Sequence, residues 1–267
     1  MKKLLAIIMA CLTAVACCFA LTACGNKEKL YVYTNAGFAP YEYVNEYGEV
    51  VGIDIDVMQE IGEILGYEVV VNDIEFSNIL SEVEKNKMAV GAAGMSKKAE
   101  RDEVALASNV YATSQQYVIA PKGTFAEGAL VTEAQIYDAI GDKKIGVQKG
   151  TTGSFLIDDY LVSIEVAYED KVIDYSNAIV ASSDIGSTLK AVIIDELPAK
   201  AIAEDNDSLE CWKIDAEMEA YVLYFNKEAT ELVAKVNKIL DIMQVKGTNG
   251  VSVIDYFTMK HTGGIVG

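Results

Sequence analysis

Apolar and polar residues along this chain switch repeatedly between the two-residue period of strands and the longer period of helices. A β-type run over 30–34 ends in the turn-rich loop Asn35-Ala36-Gly37-Phe38-Ala39-Pro40-Tyr41. A hairpin around Asn45 to Gly48 leads into Val50-Val51-Gly52. Val57, Ile61 and Leu65 then recur at helical spacing, with Asp54 or Asp56 as the expected cap and Gly66 as the terminator. A strand over 68–72, a helix over 78–85 and a strand over 88–91 follow, and this alternation predicts a parallel sheet with helices on its faces. A second series starts over 116–120, after a Ser/Tyr/Thr-rich segment. It predicts a strand over 144–147, a helix opening at Thr151, a strand over 162–168 and a helical stretch over 177–189. A strand over 191–194, a helix over 197–204 and a strand over 209–214 complete it. The apolar run 221–225 and the helix 228–243 have no new sheet to join. The chain is therefore expected to cross back to the first lobe near 216–219, giving two connections that can act as a hinge.

The start of the chain has a different character. Met1-Lys2-Lys3, an apolar run over 4–20 and then Leu21-Thr22-Ala23-Cys24-Gly25 read as a secretory leader. The small residues before Cys24 resemble a bacterial lipobox. That resemblance implies cleavage after residue 23, a lipid on Cys24 and residence on the extracellular face of the cytoplasmic membrane. The expected organisation is a leader over 1–23, a tether over 24–28, a first lobe over 29–115, a second lobe over 116–218 and a return to the first lobe over 219–267. Beyond Cys24 only Cys211 remains, so no disulfide within the mature chain is expected and the core must supply its stability. The 267 residues are 51% hydrophobic and 23% charged, the composition of a globular protein. Forty acids against 22 bases give a net charge of -18, which excludes nucleic acid as a plausible partner and favours a monomer.

Three separated segments carry candidate chemistry. Gly91-Ala92-Ala93-Gly94-Met95-Ser96 follows a predicted strand, and its small residues let a ligand approach the backbone. Ser96 can donate to an anion, and Arg101, five residues on, can fold back onto a carboxylate. Gly150-Thr151-Thr152-Gly153 lies where a strand gives way to a helix, so free amides and threonine hydroxyls favour an anion there, although Thr151 or Thr152 can equally be an N-cap. Asp195 ends the apolar run 191–194 at the edge of the second sheet, where ligands of such folds bind, with an N-cap as its alternative role. Together these groups suit an α-amino acid, whose carboxylate needs a guanidinium and hydroxyls and whose ammonium needs a carboxylate. Phe38, Tyr41 and Phe76 lie in loops where they can sandwich a side chain.

With those residues in view, the chain resembles bacterial extracellular solute-binding proteins of family 3, the polar-amino-acid receptors of ABC transporters. The resemblance rests on Gly52-Ile53-Asp54-Ile55-Asp56 and the helix behind it. Also similar are Ala39-Pro40-Tyr41-Glu42-Tyr43, the Gly94 to Arg101 segment, Lys144-Ile145-Gly146-Val147-Gln148-Lys149-Gly150-Thr151-Thr152, and Asp195. It implies an α/β fold of the two-lobed, type II periplasmic-binding-protein kind, each lobe a mostly parallel sheet flanked by helices, joined by a two-strand hinge. It further implies Arg101, Ser96 and Thr152 on the ligand carboxylate, Asp195 on the ammonium, the Ala93 or Gly94 backbone assisting, and Phe38 and Phe76 around the side chain. Delivery to a membrane permease follows from the same resemblance, whereas Asp54 and Asp56 look like structural helix-start residues. Asn35 stands where receptors for basic amino acids often carry an aspartate, which removes one direct salt bridge to a lysine or arginine side chain and points to a polar amino acid, its charge left open.

The competing class is an enzyme, because some relatives on this fold are cyclohexadienyl dehydratases. Glu42, Glu75 or Glu196 is the acid such chemistry would recruit. A single histidine, His261, makes a Ser/His/Asp triad or a His/Cys zinc site untenable, and no cofactor or metal is implied.

Overall fold

The computed structural model describes residues 27–263, so the leader, Cys24 and its expected lipid lie outside the described residues. The first part of the chain runs β1 (Lys29–Thr34), β2 (Tyr43–Val44), β3 (Val50–Val51), α1 (Ile53–Leu65), β4 (Glu68–Asp73), α2 (Ile79–Lys85), β5 (Ala89–Gly91), α3 (Ala99–Val104) and β6 (Ala105–Ala107). After β7 (Ala112–Ser114), a second series follows: β8 (Gln116–Pro121), α4 (Glu133–Ile140), β9 (Lys144–Gln148), α5 (Thr152–Ser163), α6 (Tyr168–Lys171), β10 (Val172–Tyr175), α7 (Ala178–Ser183), β11 (Leu189–Asp195), α8 (Glu196–Glu204) and β12 (Leu209–Lys213). The chain closes with β13 (Glu219–Tyr221), β14 (Tyr224–Asn226), α9 (Thr230–Met243) and α10 (Val253–His261).

These strands build two five-stranded sheets, ordered β4-β1-β5-β14-β6 and β10-β9-β11-β8-β12. Each is more mixed than the strand-helix alternation predicts. β4, β1 and β5 pair in parallel, as do β10, β9 and β11, but β14 and β8 are antiparallel to both their neighbours. The reason is geometric. β1, β5, β9 and β11 run toward the cleft, whereas β8 and β14 leave the connecting strands and run away from it. The antiparallel pair β7–β13 links the two sheets, with Glu219 opposite Ser114 and Tyr221 opposite Ala112.

Packing explains why the sequence folds this way. α1 lays Ile53, Val57, Met58 and Ile61 onto the first sheet and ends at Gly66, whose left-handed conformation (φ 80°) lets its N–H reach the carbonyls of Glu63 and Gly62. In the second lobe Val118, Ile145, Val147, Ile157, Leu161, Ile193 and Trp212 form one cluster, and the indole N–H of Trp212 donates to the Ala126 carbonyl at 2.9 Å.

Three local expectations are corrected and one helix is added. The helical stretch expected over 177–189 ends at Ser183, and Leu189 already belongs to β11. The strand expected over 162–168 is the end of α5 and a turn; the alternating Val162, Ile164 and Val166 mimic a strand, yet Val162 and Ile164 are exposed. The strand itself lies at Val172–Tyr175. α4 escapes the periodicity argument, although its capping box, Thr132 with Gln135, is written in the sequence. Neither Asp54 nor Asp56 caps α1, because the N-cap is Gly52 and both acids lie inside the first turn.

Candidate functional site

The ends of β1, β5, β9 and β11 converge on one cleft between the lobes. Asn35, Phe38, Glu42, Phe76, Ala93, Gly94, Ser96, Arg101, Gln148, Thr151, Thr152 and Asp195 line it. Ten of the eleven positions singled out from sequence are therefore brought together, from segments up to 160 residues apart; the eleventh, Tyr41, is buried with its ring 5.7 Å from that of Phe38 and does not line the cleft.

Arg101 is no solvated helix charge. It is only 7% exposed; its guanidinium donates to the Ser96 carbonyl at 2.8 Å and to the Gly150 carbonyl of the opposite lobe at 3.2 Å, and it lies 5.4 Å from the centre of the Phe76 ring. Burial lowers its pKa, opposed by Tyr224, Glu219 and Asp195, and a guanidinium still keeps its charge under such pressure.

The two threonines divide the labour. Thr151 caps α5: its hydroxyl accepts from the Ser154 N–H and donates to the Gln148 carbonyl at 2.8 Å, so that hydroxyl is committed to the turn. Thr152, one residue on, aims its hydroxyl into the cleft. Asp195 sits at the N-cap position of α8 but makes no side-chain capping bond; its carboxylate turns instead to the amide nitrogen of Gln116 at 3.1 Å.

Gly94 is required where it stands. Its φ is +53°, and a Cβ there would lie 2.7 Å from the Phe38 ring. Its N–H donates to Asp54 at 2.8 Å, and Tyr111 donates to the other oxygen of Asp54 at 2.6 Å. Asp54 thus pins the small-residue loop to the first lobe, and the Gly94 amide is not free for a ligand. Burial, only partly offset by those two bonds, pushes Asp54 up to about 6. Asp56 serves elsewhere, receiving Lys260 at 2.7 Å and His261 at 2.8 Å from α10.

Four cleft residues went unrecognised as ligand-site candidates. Gln148 donates to Asn35 at 2.7 Å and to the Ser176 carbonyl at 2.9 Å, bridging the lobes. Gln116 reaches Asp195, Thr152 and Glu219 with one amide. Glu219 accepts from the hydroxyls of Ser96 and Thr152, the latter at 2.9 Å. Glu42, considered above only as an acid for catalysis, is 1% exposed in the cleft wall, and its Oε2 makes no hydrogen bond among the described residues. Burial and the charges of Asp54 and Asp195 hold Glu42 well above the ordinary carboxylate range; burial and Glu219 do the same to Asp195. Only Gln148 had a visible signal, its place one residue before the Lys149-Gly150 turn.

A cleft of this construction, at the carboxyl ends of sheet strands and between two lobes, is a small-molecule site. The family description "Bacterial extracellular solute-binding proteins, family 3" matches residues 30–258. The chain belongs to this family. Among curated proteins, the arginine-binding extracellular protein ArtP of Bacillus subtilis is 28% identical over 92% of this chain and 94% of its own. Of solved structures, an ancestral arginine-binding protein bound to arginine superposes with a TM-score of 0.75 at 26% identity, covering 89% of this chain and 99% of that one. The ancestral amino acid-binding protein AncCDT-1, a precursor of cyclohexadienyl dehydratase, superposes with a TM-score of 0.73 at 22% identity over 88% and 95% of the chains. At that identity the likeness concerns the fold alone.

Proposed function

We propose that this solute-binding protein captures a free cationic amino acid of the arginine type between its lobes and delivers it to an ABC-type permease. The lobes are 29–115 with 219–267, and 116–218, closing about the β7–β13 pair. A lipid on Cys24 holds the protein as a monomer outside the cytoplasmic membrane. Arg101 takes the ligand carboxylate with Ser96 and Thr152, Asp195 takes the ammonium, and Phe38 and Phe76 flank the side chain.

The observation that carries the choice of ligand is the charge of the cleft. Glu42 and Asp195 line the cleft together with a single guanidinium, Arg101; Glu219 reaches its edge through Ser96 and Thr152, and Asp54 holds the Gly94 loop. A buried carboxylate without a partner is costly, and a guanidinium is the group that satisfies it with two parallel bonds. Burial favours the protonated form of Glu42, and a guanidinium arriving beside it favours release of that proton, so Glu42 supplies on binding the anion that Asn35 lacks, while Asn35 and Gln148 offer amide oxygens to the same end of the ligand. The arginine-binding relatives support the same choice.

The test is thermal unfolding of the full chain, refolded to remove carried-over ligand, with each L-amino acid in turn. L-arginine or L-lysine at ~100 times its dissociation constant adds about 2.7 kcal/mol of stability. A shift confined to uncharged amino acids such as L-glutamine refutes the cationic reading, and the absence of any shift refutes the receptor.

A further inference from the structure

The hydroxyls that the reading above reserves for the ligand's carboxylate are already held by a carboxylate of the protein. Glu219, the first residue of β13, accepts from Ser96 of the first lobe and from Thr152 of the second, and its other oxygen lies 3.0 Å from the Gln116 amide nitrogen. A hydroxyl carries one proton, so Ser96 and Thr152 cannot donate to Glu219 and to a ligand carboxylate at once. Glu219 also stands at the fixed edge of the cleft. Its backbone pairs with Ser114 across the connecting strands, and the next residues are tied to the Ser96 loop, where Lys97 N–H donates to the Ala220 carbonyl at 2.8 Å.

The arrangement has a consequence for ligand class. Glu42, Asp195 and Glu219 against Arg101 leave two negative charges in excess when all are ionised, and Glu219 gives Arg101 the counter-charge a ligand carboxylate would bring. The groups left facing the cleft are Asp195 for an ammonium and Glu42 for a guanidinium or second ammonium. This inference rests on the proposed cationic specificity and extends it. We propose that Glu219 is a built-in carboxylate that completes the anion subsite, so that the cleft also accepts a decarboxylated α,ω-dication, an amine joined by a short chain to a guanidine, with no carboxylate of its own. A ligand that does bring a carboxylate must displace Glu219 from Ser96 and Thr152, and Glu219 thereby sets the preference between the two classes.

The experiment is calorimetric titration of the full chain with agmatine, the decarboxylated counterpart of arginine, and with L-arginine, for the wild type and for Glu219→Gln. The wild type binds agmatine. In Glu219→Gln the cleft loses a half-buried negative charge beside Arg101, so agmatine weakens by about tenfold or more, whereas L-arginine meets less repulsion and tightens, and the preference swings toward the amino acid. Glu219→Asp, which keeps the charge, restores part of the agmatine affinity. Wild-type protein that binds L-arginine and not agmatine overturns the proposal and spares the amino-acid reading; this comparison needs no variant to fold. Agmatine bound without L-arginine sustains the proposal and refutes that reading. A Glu219→Gln variant in which both ligands change by the same factor also overturns it.

Discussion

Replacing Asp54 by asparagine changes how the protein's stability responds to pH, and the size of the change follows from where Asp54 sits. The residue is fully buried under the Gly94 loop, and burial raises its pKa from 3.8 to about 6. A carboxyl with a raised folded pKa holds its proton more tightly in the native state. Its contribution to stability is complete below the unfolded value of 3.8 and is lost as pH rises through about 6. A shift of this size corresponds to about 3 kcal/mol across the whole window, of which about 2 kcal/mol is regained between pH 7 and pH 4.5. For a chain of this size that is roughly 4–8 °C in melting temperature. Asparagine keeps an acceptor for one of the Gly94 and Tyr111 donors and has no charge to lose, so its melting temperature follows pH less steeply by that amount. The comparison between the two proteins cancels the relief of general self-repulsion on acidification, which both share. Parallel melting curves against pH for wild type and Asp54→Asn, measured by circular dichroism, refute the assignment of that slope to Asp54.

Other substitutions test the cleft directly. Arg101→Ala removes the guanidinium expected to hold the ligand carboxylate and lowers affinity for every amino acid by about 100-fold or more, read by calorimetry; Arg101→Lys rescues little because it loses the planar fork. Unchanged binding by Arg101→Ala dismisses the site. Gly94→Ala drives a Cβ to 2.7 Å from Phe38 at a positive φ, costing about 1–2 kcal/mol in a urea titration and displacing the aromatic wall. Gly123→Ala, at φ +77° with open space around it, serves as the control that carries the backbone strain alone. Glu42→Gln weakens L-arginine by about tenfold or more and leaves L-citrulline, the uncharged analogue, nearly unaffected; equal losses for both ligands place the side chain of the ligand elsewhere.

The sequence alone determined the alternation of strands and helices, the two series of them, and the loops at which chemistry gathers. Strands such as β11, apolar along nearly their whole length, and helices such as α1, apolar on one face, are set by local periodicity and by short-range caps such as Gly66. Motif spacing was enough to bring Ser96, Thr152 and Asp195 forward, because each lies within a few residues of a strand end and strand ends in such folds share one edge, and Arg101 followed from its place five residues after Ser96. Only the tertiary structure decided what each of these groups faces. Thr151 and Thr152 are the same residue in the same loop, and one turn of backbone makes the first a cap and the second a cleft donor. The roles of Glu42, Gln116 and Glu219 were hidden for the same physical reason. Each acquires its meaning from partners far away along the chain, Gln116 from Asp195 79 positions away on the neighbouring strand and Glu219 from Ser96 123 positions away. No local pattern encodes such a contact. Burial then makes it consequential, since a carboxylate that water would solvate at a surface must, inside the cleft, be protonated, paired with a donor or met by a cation.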